Sequence, residues 1–284
     1  MARGGGSFQT DGVDISGIVT CANGHGTTHL KANSAMTFLL SRRILLSLVA
    51  VSAACSLPAA SQSIDLSGAK IVALGGDPII QTARKVLVEE IAHRTGIELA
   101  TVEAVPKAGV SVLLCTTKAA PEGLQSFVAG MEVPEKAEGF AIAVKSGESP
   151  TVVLVGNDAR GLLFAAGHLL LNLRMGKGTV ELPADFRMAT APRHPRRGHQ
   201  IAYRGLAHCY DAWTPEIYEQ YMRDLSVFGA NAFELTSFRD ADSTEGPHLK
   251  YTPRQMIEAW SKICRDYGYE FWLFAGAFGG EGET

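Results

Sequence analysis

Residues 199–235 read HQIAYRGLAHCYDAWTPEIYEQYMRDLSVFGANAFEL, and the fold of the second half of the chain follows from them. His199–Tyr203 is a β-rich run. Thr214-Pro215-Glu216 then caps and opens a helix that continues through Phe228, and Gly229-Ala230-Asn231 turns it into a second run, Ala232–Leu235. The pattern repeats: Thr252-Pro253-Arg254 opens a helix carrying Met256, Ile257, Trp260 and Ile263, and Gly268 closes it before YEFWLFA at 269–275. A Thr-Pro dipeptide sets N-cap and first helical residue together. Strands joined by single helices are βαβ units of a parallel sheet. The segments after the strands, 203–211 and 236–242, are long and rich in Arg, His, Tyr and Asp, at the strand ends where a (β/α)₈ barrel keeps its site. A doubly wound nucleotide-binding sheet is disfavoured because no glycine fingerprint follows the first strand.

The expectation is therefore an α/β protein ending, over 198–284, in the first two to three βα units of an incomplete TIM barrel. A complete barrel takes roughly 200–250 residues. The segment after Arg197 is far shorter, so it is expected to expose strand edges and half a core, and neither to fold stably nor to turn over substrate by itself.

Upstream, residues 64–186 read as a smaller α/β sandwich domain. β-rich runs fall at 69–74, 99–105, 110–116, 140–144, 151–155 and 179–182. Asp77 and Pro78 cap and start one helix that Gly96 stops; Asn157 or Asp158 caps another, with Leu162, Leu163, Ala166, Leu169, Leu170 and Leu173 on its apolar face and Gly176 at its end. Strands interleaved with helices give the layer architecture. Neither glycine turn suits phosphate. At Gly75-Gly76-Asp77-Pro78 an acid sits where the anion would lie and a proline removes a donor, while Gly156-Asn157-Asp158-Ala159-Arg160-Gly161 lacks the Lys-Ser/Thr of a P-loop and reads as a tight strand-to-helix turn with close packing at Gly161. Residues 187–197, with Pro192 and Pro195, read as a linker.

The first sixty residues are not expected to belong to the fold. Residues 1–35 are Gly/Ser/Thr/Asn-rich without a period and read as a disordered leader. From Met36 a secretory signal peptide is legible over 36–61: basic Arg42-Arg43, an uncharged run from Ile44 to Cys55, and small residues at Ala59 and Ser61 before Gln62. This suggests translation from Met36 and an exported protein, periplasmic or extracellular; a lipoprotein fits less well, because the residue at −3 from Cys55 is Ser52. The five cysteines show no CxxC or zinc spacing and no disulfide framework. With 46% hydrophobic residues, 19% charged and net charge −3, the chain is neither disordered nor broadly cationic, so no nucleic-acid partner is expected, nor a membrane beyond the signal segment.

The segments 195–204 (PRRGHQIAYR), 210–213 (YDAW) and 225–235 (LSVFGANAFEL), with TVVLVGNDARGLLFAAGHLLLNLR at 151–174, resemble glycoside hydrolases of the α-glucuronidase, β-N-acetylhexosaminidase and O-GlcNAcase type. In those families a small α/β domain directly precedes a (β/α)₈ catalytic barrel. The resemblance implies an exported glycosidase acting on a carbohydrate substrate, with no cofactor. In hexosaminidase-like relatives an Arg of an Arg-Gly pair at the first barrel strand binds sugar hydroxyls, a role that would fall on Arg197; the Asp-x-x-Arg continuation is missing here. The catalytic carboxylates of such families lie after barrel strand four and later, so no catalytic residue is assigned.

Glycoside cleavage uses two carboxyl groups flanking the bond. Asp211, Glu234, Asp240 and Asp242 are the acids near the first two strand ends and are expected to hydrogen-bond sugar, although Glu234 serves equally as an arginine partner within the fold. Arg204, His208, Tyr210 and, in the second loop, Arg239 are candidate substrate contacts; an arginine would suit a uronate through paired hydrogen bonds. Trp213 is either a sugar-stacking platform or a core residue at the helix start. His194, His199 and His208 match no metal-ligand spacing, and no metal is expected. A carbohydrate-binding accessory protein without catalysis is the alternative reading.

Overall fold

Asp77 does what its position promises: its side chain accepts from the Ile79 amide, Pro78 takes the first helical position, and Gly96 ends the helix in the left-handed region at φ 76°. A computed structural model describes residues 62–201, 213–236 and 251–274. In chain order its elements are β1 (Ser63–Asp65), β2 (Lys70–Ala73), α1 (Pro78–Thr95), β3 (Thr101–Val102), β4 (Ser111–Thr116), α2 (Gln125–Ala129), β5 (Phe140–Lys145), β6 (Thr151–Gly156), α3 (Ala159–Asn172), β7 (Arg174–Gly176), β8 (Thr179–Pro183), β9 (Arg187–Thr190), β10 (Gly198–Ile201), α4 (Pro215–Val227), β11 (Ala232–Thr236), α5 (Pro253–Tyr267) and β12 (Glu270–Phe274). The signal segment and leader lie outside the described residues.

The main sheet has six strands in the order β3-β2-β4-β6-β5-β9. Its first four are parallel, while β5 runs antiparallel to both β6 and β9. β6 is buried at every position, as a continuous TVVLV run requires when both faces are covered. On one face Ile71, Val112, Leu114, Ile142, Val152 and Leu154 meet α1 and α3; on the other Val72, Leu113, Cys115, Val153 and Val155 are covered by Leu124, Val128 and Met131 around α2. β1, β8 and β7 form a separate antiparallel sheet.

The third sheet is β10-β11-β12, parallel throughout and in chain order. α4 and α5 cover one of its faces and pack against α3 and α1. Tyr218, Met222, Phe233, Trp260 and Ile263 therefore share one continuous apolar core with α1 and α3. The expected bare half-core is thus not found on the helix side; the open side is the opposite face.

Several boundaries differ from the sequence reading. The second helix ends at Asn172, and Arg174–Gly176 is a strand, because Leu173 is already extended and buried. Arg187–Thr190, placed in the linker, pairs with β5 as β9. Only Thr101–Val102 of the expected 99–105 strand pairs. The short β1 and α2 carry no period in the sequence and appear only in the structure.

Candidate functional site

The turn at 156–161, between β6 and α3, is a joint. Asp158 uses one carboxylate oxygen to cap α3 through the Gly161 amide at 2.7 Å and the other to accept from the Glu138 amide at 2.8 Å. A Cβ at Gly161 would lie 2.5 Å from the Gly139 carbonyl, and one at Gly156 equally close to the Asp158 carbonyl. This is the close packing that the sequence suggested, and it explains both glycines.

Glu138, 2% exposed, collects the charges around that joint. Its carboxylate pairs with Arg160 of α3 at 3.1 Å and with Arg197 at 2.5 Å, and accepts from the Asn231 amide nitrogen at 2.9 Å. Arg197 also donates to the carbonyls of Gly229 and His194 and stacks over the Phe164 ring. The expected role of Arg197 is corrected accordingly. Its guanidinium is directed inward at the N-terminal end of β10, where it ties the α/β domain to the parallel sheet, away from the strand ends where sugar was expected.

A second charged seam lies between α1 and α4–α5. Arg223, 6% exposed at its side chain, pairs with Glu89 at 2.7 Å, Glu219 at 3.2 Å and Glu90 at 3.4 Å, and donates to the Tyr267 hydroxyl. Burial works against its charge, but Tyr267 and Glu89 outweigh it and raise its pKa. Burial likewise pushes the Glu90 carboxyl up, and hydrogen bonds from Gln220 and Arg94 together with the Arg223 charge bring it below the usual range. The only free thiols among the described residues, Cys115 and Cys264, are core side chains whose pKa burial pushes up to about 11 and about 12.

The open face of the parallel sheet is the candidate site. Gln200, Glu234 and Trp272 are partners in register across β10, β11 and β12, and Gly198, Ala232 and Glu270 form the row two residues before them. Over these rows lies a cleft of about 370 Å³ lined by Arg196, Gln200, Glu234 and Trp272. Arg196 stacks on the Trp272 ring at 4.8 Å and pairs with Glu270 at 2.9 Å, and the Trp272 indole donates to the same carboxylate. The Arg196 hydrogen bond holds the Glu270 carboxyl below its ordinary range.

Of the sequence-predicted contacts, Glu234 sits in this cleft, half-buried. It is not an arginine partner among the described residues. Arg204, His208, Tyr210, Asp211 and Arg239 lie outside the described residues, as do Asp240 and Asp242. Trp213 belongs to the core side: its ring stands edge-on to Tyr218 and Tyr221. His199 shares a hydrogen bond with the Tyr221 hydroxyl at 2.9 Å. Among the described residues no cluster of three His, Cys, Asp or Glu is arranged to hold a metal. Gln200, Arg196 and Trp272 were missed, although the alternation of YEFWLFA already places Glu270 and Trp272 on one face.

Residues 57–169 match the family described as Glycosyl hydrolase family 67 N-terminus. No curated protein matches the chain. Among solved structures the chain is similar to CpGH84B (TM-score 0.51, 14% identity, covering 75% of this chain and 34% of that one) and to a mutant Streptomyces plicatus β-hexosaminidase in complex with GlcNAc (TM-score 0.50, 14% identity, 75% and 42%). A GH115 4-O-methyl-α-glucuronidase with specificity for decorated arabinogalactans aligns at TM-score 0.48 and 14% identity, over 73% of this chain and 29% of that one. The chain thus spans less than half the length of each.

Proposed function

We propose that the chain is the N-terminal portion of an exported glycoside hydrolase, in which the α/β domain is fixed to the opening strands of a (β/α)₈ catalytic barrel. The observation that carries the reading is the Glu138 joint: a domain of glycoside-hydrolase type is tied by a buried carboxylate to three parallel strands in chain order, with their helices packed on it. On this reading the substrate is a carbohydrate, no cofactor takes part, and hydrolysis proceeds by a pair of carboxyl groups, one protonating the leaving oxygen and the other activating water or stabilising the sugar cation. That pair is supplied by later strands than the three described. The 284 residues alone are then inactive, and the signal segment 36–61 is removed on export.

The test is to assay the gene product, read through any βα units encoded beyond Thr284, on aryl N-acetylglucosaminides and glucuronoxylan oligosaccharides. Hydrolysis by the extended protein and none by the 284 residues is expected. Glycan binding without hydrolysis by the extended protein would overturn the enzyme reading in favour of an accessory carbohydrate-binding protein. Amino-terminal sequencing of the secreted form is expected to begin at Gln62, and retention of residues 36–61 would refute export by cleavage.

A further inference from the structure

β4 and β6 are parallel neighbours, paired from Ser111 and Thr151 to Thr116 and Gly156, and the chain leaves their carboxyl ends in opposite directions. After Thr116 it passes to α2 on one face of the six-stranded sheet, and after Gly156 to α3 on the other. Such a divergence opens a crevice at the strand ends, which is where open α/β sheets take their ligands. Here the crevice has a volume of about 800 Å³ and is lined by Thr117 and Lys118 beyond β4, Asn157 beyond β6, and Glu132 and Glu135 between α2 and β5. Its three charges are unanswered. Among the described residues neither the Lys118 ammonium nor the Glu132 or Glu135 carboxylate has a hydrogen bond or ion pair, although they share one cleft. Glu132 also adopts φ 52°. Glu138, the other non-glycine residue at positive φ among the described residues, is held there by its ion pairs, whereas the exposed Glu132 has none. Strain of this kind concentrates at ligand sites.

We infer that this crevice binds a free basic amino acid. Two carboxylates and one ammonium line it, and their complement is a ligand with two cationic groups and one carboxylate. A basic amino acid carries that set. Its carboxylate meets Lys118, its α-ammonium and side-chain cation meet Glu132 and Glu135, and its methylene stem lies along Val128 and Val133, which also line the cleft. A dicarboxylic amino acid brings the opposite excess of charge, and a neutral sugar leaves all three charges without a counterion. The inference is independent of the glycosidase reading, because every residue it uses lies between 117 and 157.

The experiment titrates the isotope-labelled 284-residue chain with L-arginine and follows its amide resonances, whose dispersion reports at the same time that the α/β domain is folded. Saturable shifts at Thr117, Lys118 and Asn157 are expected. Agmatine, which lacks the carboxylate, and Nα-acetyl-L-arginine, which lacks one cation, should each bind about fivefold more weakly, the effect of losing one exposed charge contact. L-Glutamate and N-acetylglucosamine should give no saturable shift. Lys118→Ala should weaken arginine about fivefold and leave agmatine where it was, while Glu135→Gln weakens both. Glu148→Gln, in the β5–β6 turn at the opposite end of the sheet, should change nothing. The inference is overturned by the absence of a saturable arginine shift, by equal affinity of the parent for arginine and agmatine, by an arginine–agmatine difference that survives Lys118→Ala, or by saturable binding of glutamate or N-acetylglucosamine at these amides.

Discussion

Glu138 and Arg197 meet at 2.5 Å across the boundary between the α/β domain and the parallel sheet, and Glu138 adopts φ 63° to do so. A non-glycine residue in the left-handed region persists where its surroundings over-determine it. Here the surroundings are Arg160, Arg197, Asn231 and the Asp158 carboxylate on its own amide. Removing the carboxylate leaves two guanidinium groups without their partner, although their exposures of 30% and 22% let water reach them. Glu138→Ala is therefore expected to cost about 2–3 kcal/mol, below the range for a fully buried pair. Urea unfolding checks the magnitude. Hydrogen exchange checks the site of the damage, because β10–β12 should lose protection before β4 and β6; uniform loss in both sheets would contradict the clamp.

The two glycines of the joint make a sharper steric test. Gly161→Ala and Gly156→Ala each drive a Cβ to 2.5 Å from a backbone carbonyl that cannot swing aside, so each is expected to destabilise by about 1–3 kcal/mol. Gly76→Ala, with nothing within 4 Å of the added carbon and no positive φ, serves as the matched control and should move the midpoint little. Equal midpoints for all three would mean that the joint is slack.

Much of this was legible in the residues, and the reasons differ from place to place. Asp77-Pro78 with Gly96, and Thr252-Pro253 with Gly268, carry their own start and stop chemistry, so both helices fall where the sequence puts them. TVVLV at 151–155 needs no partner information to read as a central strand. What periodicity cannot give is which distant groups meet. Glu138 lies in a loop, 59 residues from Arg197 and 93 from Asn231, and nothing local marks it as the acid that two guanidinium groups and one side-chain amide share. For the same reason Arg197 looked like a ligand-binding arginine. The resemblance carried a role to it, while the contacts that set its actual orientation come from Gly229, His194 and Phe164. Trp272 was overlooked because an indole in an apolar run reads as core unless the open face of its sheet is known.

Acid should weaken the α1–α4 seam before it affects the cores. Glu90 is 2% exposed, and its folded-state pKa lies below the usual carboxyl range, despite burial, through Gln220, Arg94 and Arg223. A lowered folded pKa means that the unfolded chain binds the proton more tightly. The stabilisation is therefore full above the ordinary carboxyl pKa of about 4.3 and is lost as pH falls through the folded value. Glu219, lowered by Lys85 and Tyr267 against its own burial, acts in the same sense. Urea midpoints measured from pH 7 down to pH 3 should fall steeply below about pH 4.5, and Glu90→Gln should start lower and fall less. A variant curve parallel to that of the parent would remove Glu90 from the explanation.

The two Thr-Pro helix starts look alike in sequence and differ in the structure. Thr252 makes a reciprocal cap: its hydroxyl accepts from the Gln255 amide while the Gln255 side chain accepts from the Thr252 amide at 2.8 Å. Thr214 makes no side-chain cap bond to its helix, and its hydroxyl instead supports Glu216, whose carboxyl it holds below the usual range. Losing a capping hydroxyl typically costs about 1 kcal/mol, and a box loses both halves of its geometry. Thr252→Ala should therefore lower stability by about 1 kcal/mol and Thr214→Ala by only a few tenths. Because α5 packs on α1 through the same layer as α4, both losses report on one cooperative unit, and the ratio between them is the informative quantity. Equal costs would show that the cap at α5 contributes nothing beyond what Pro253 already fixes in the backbone.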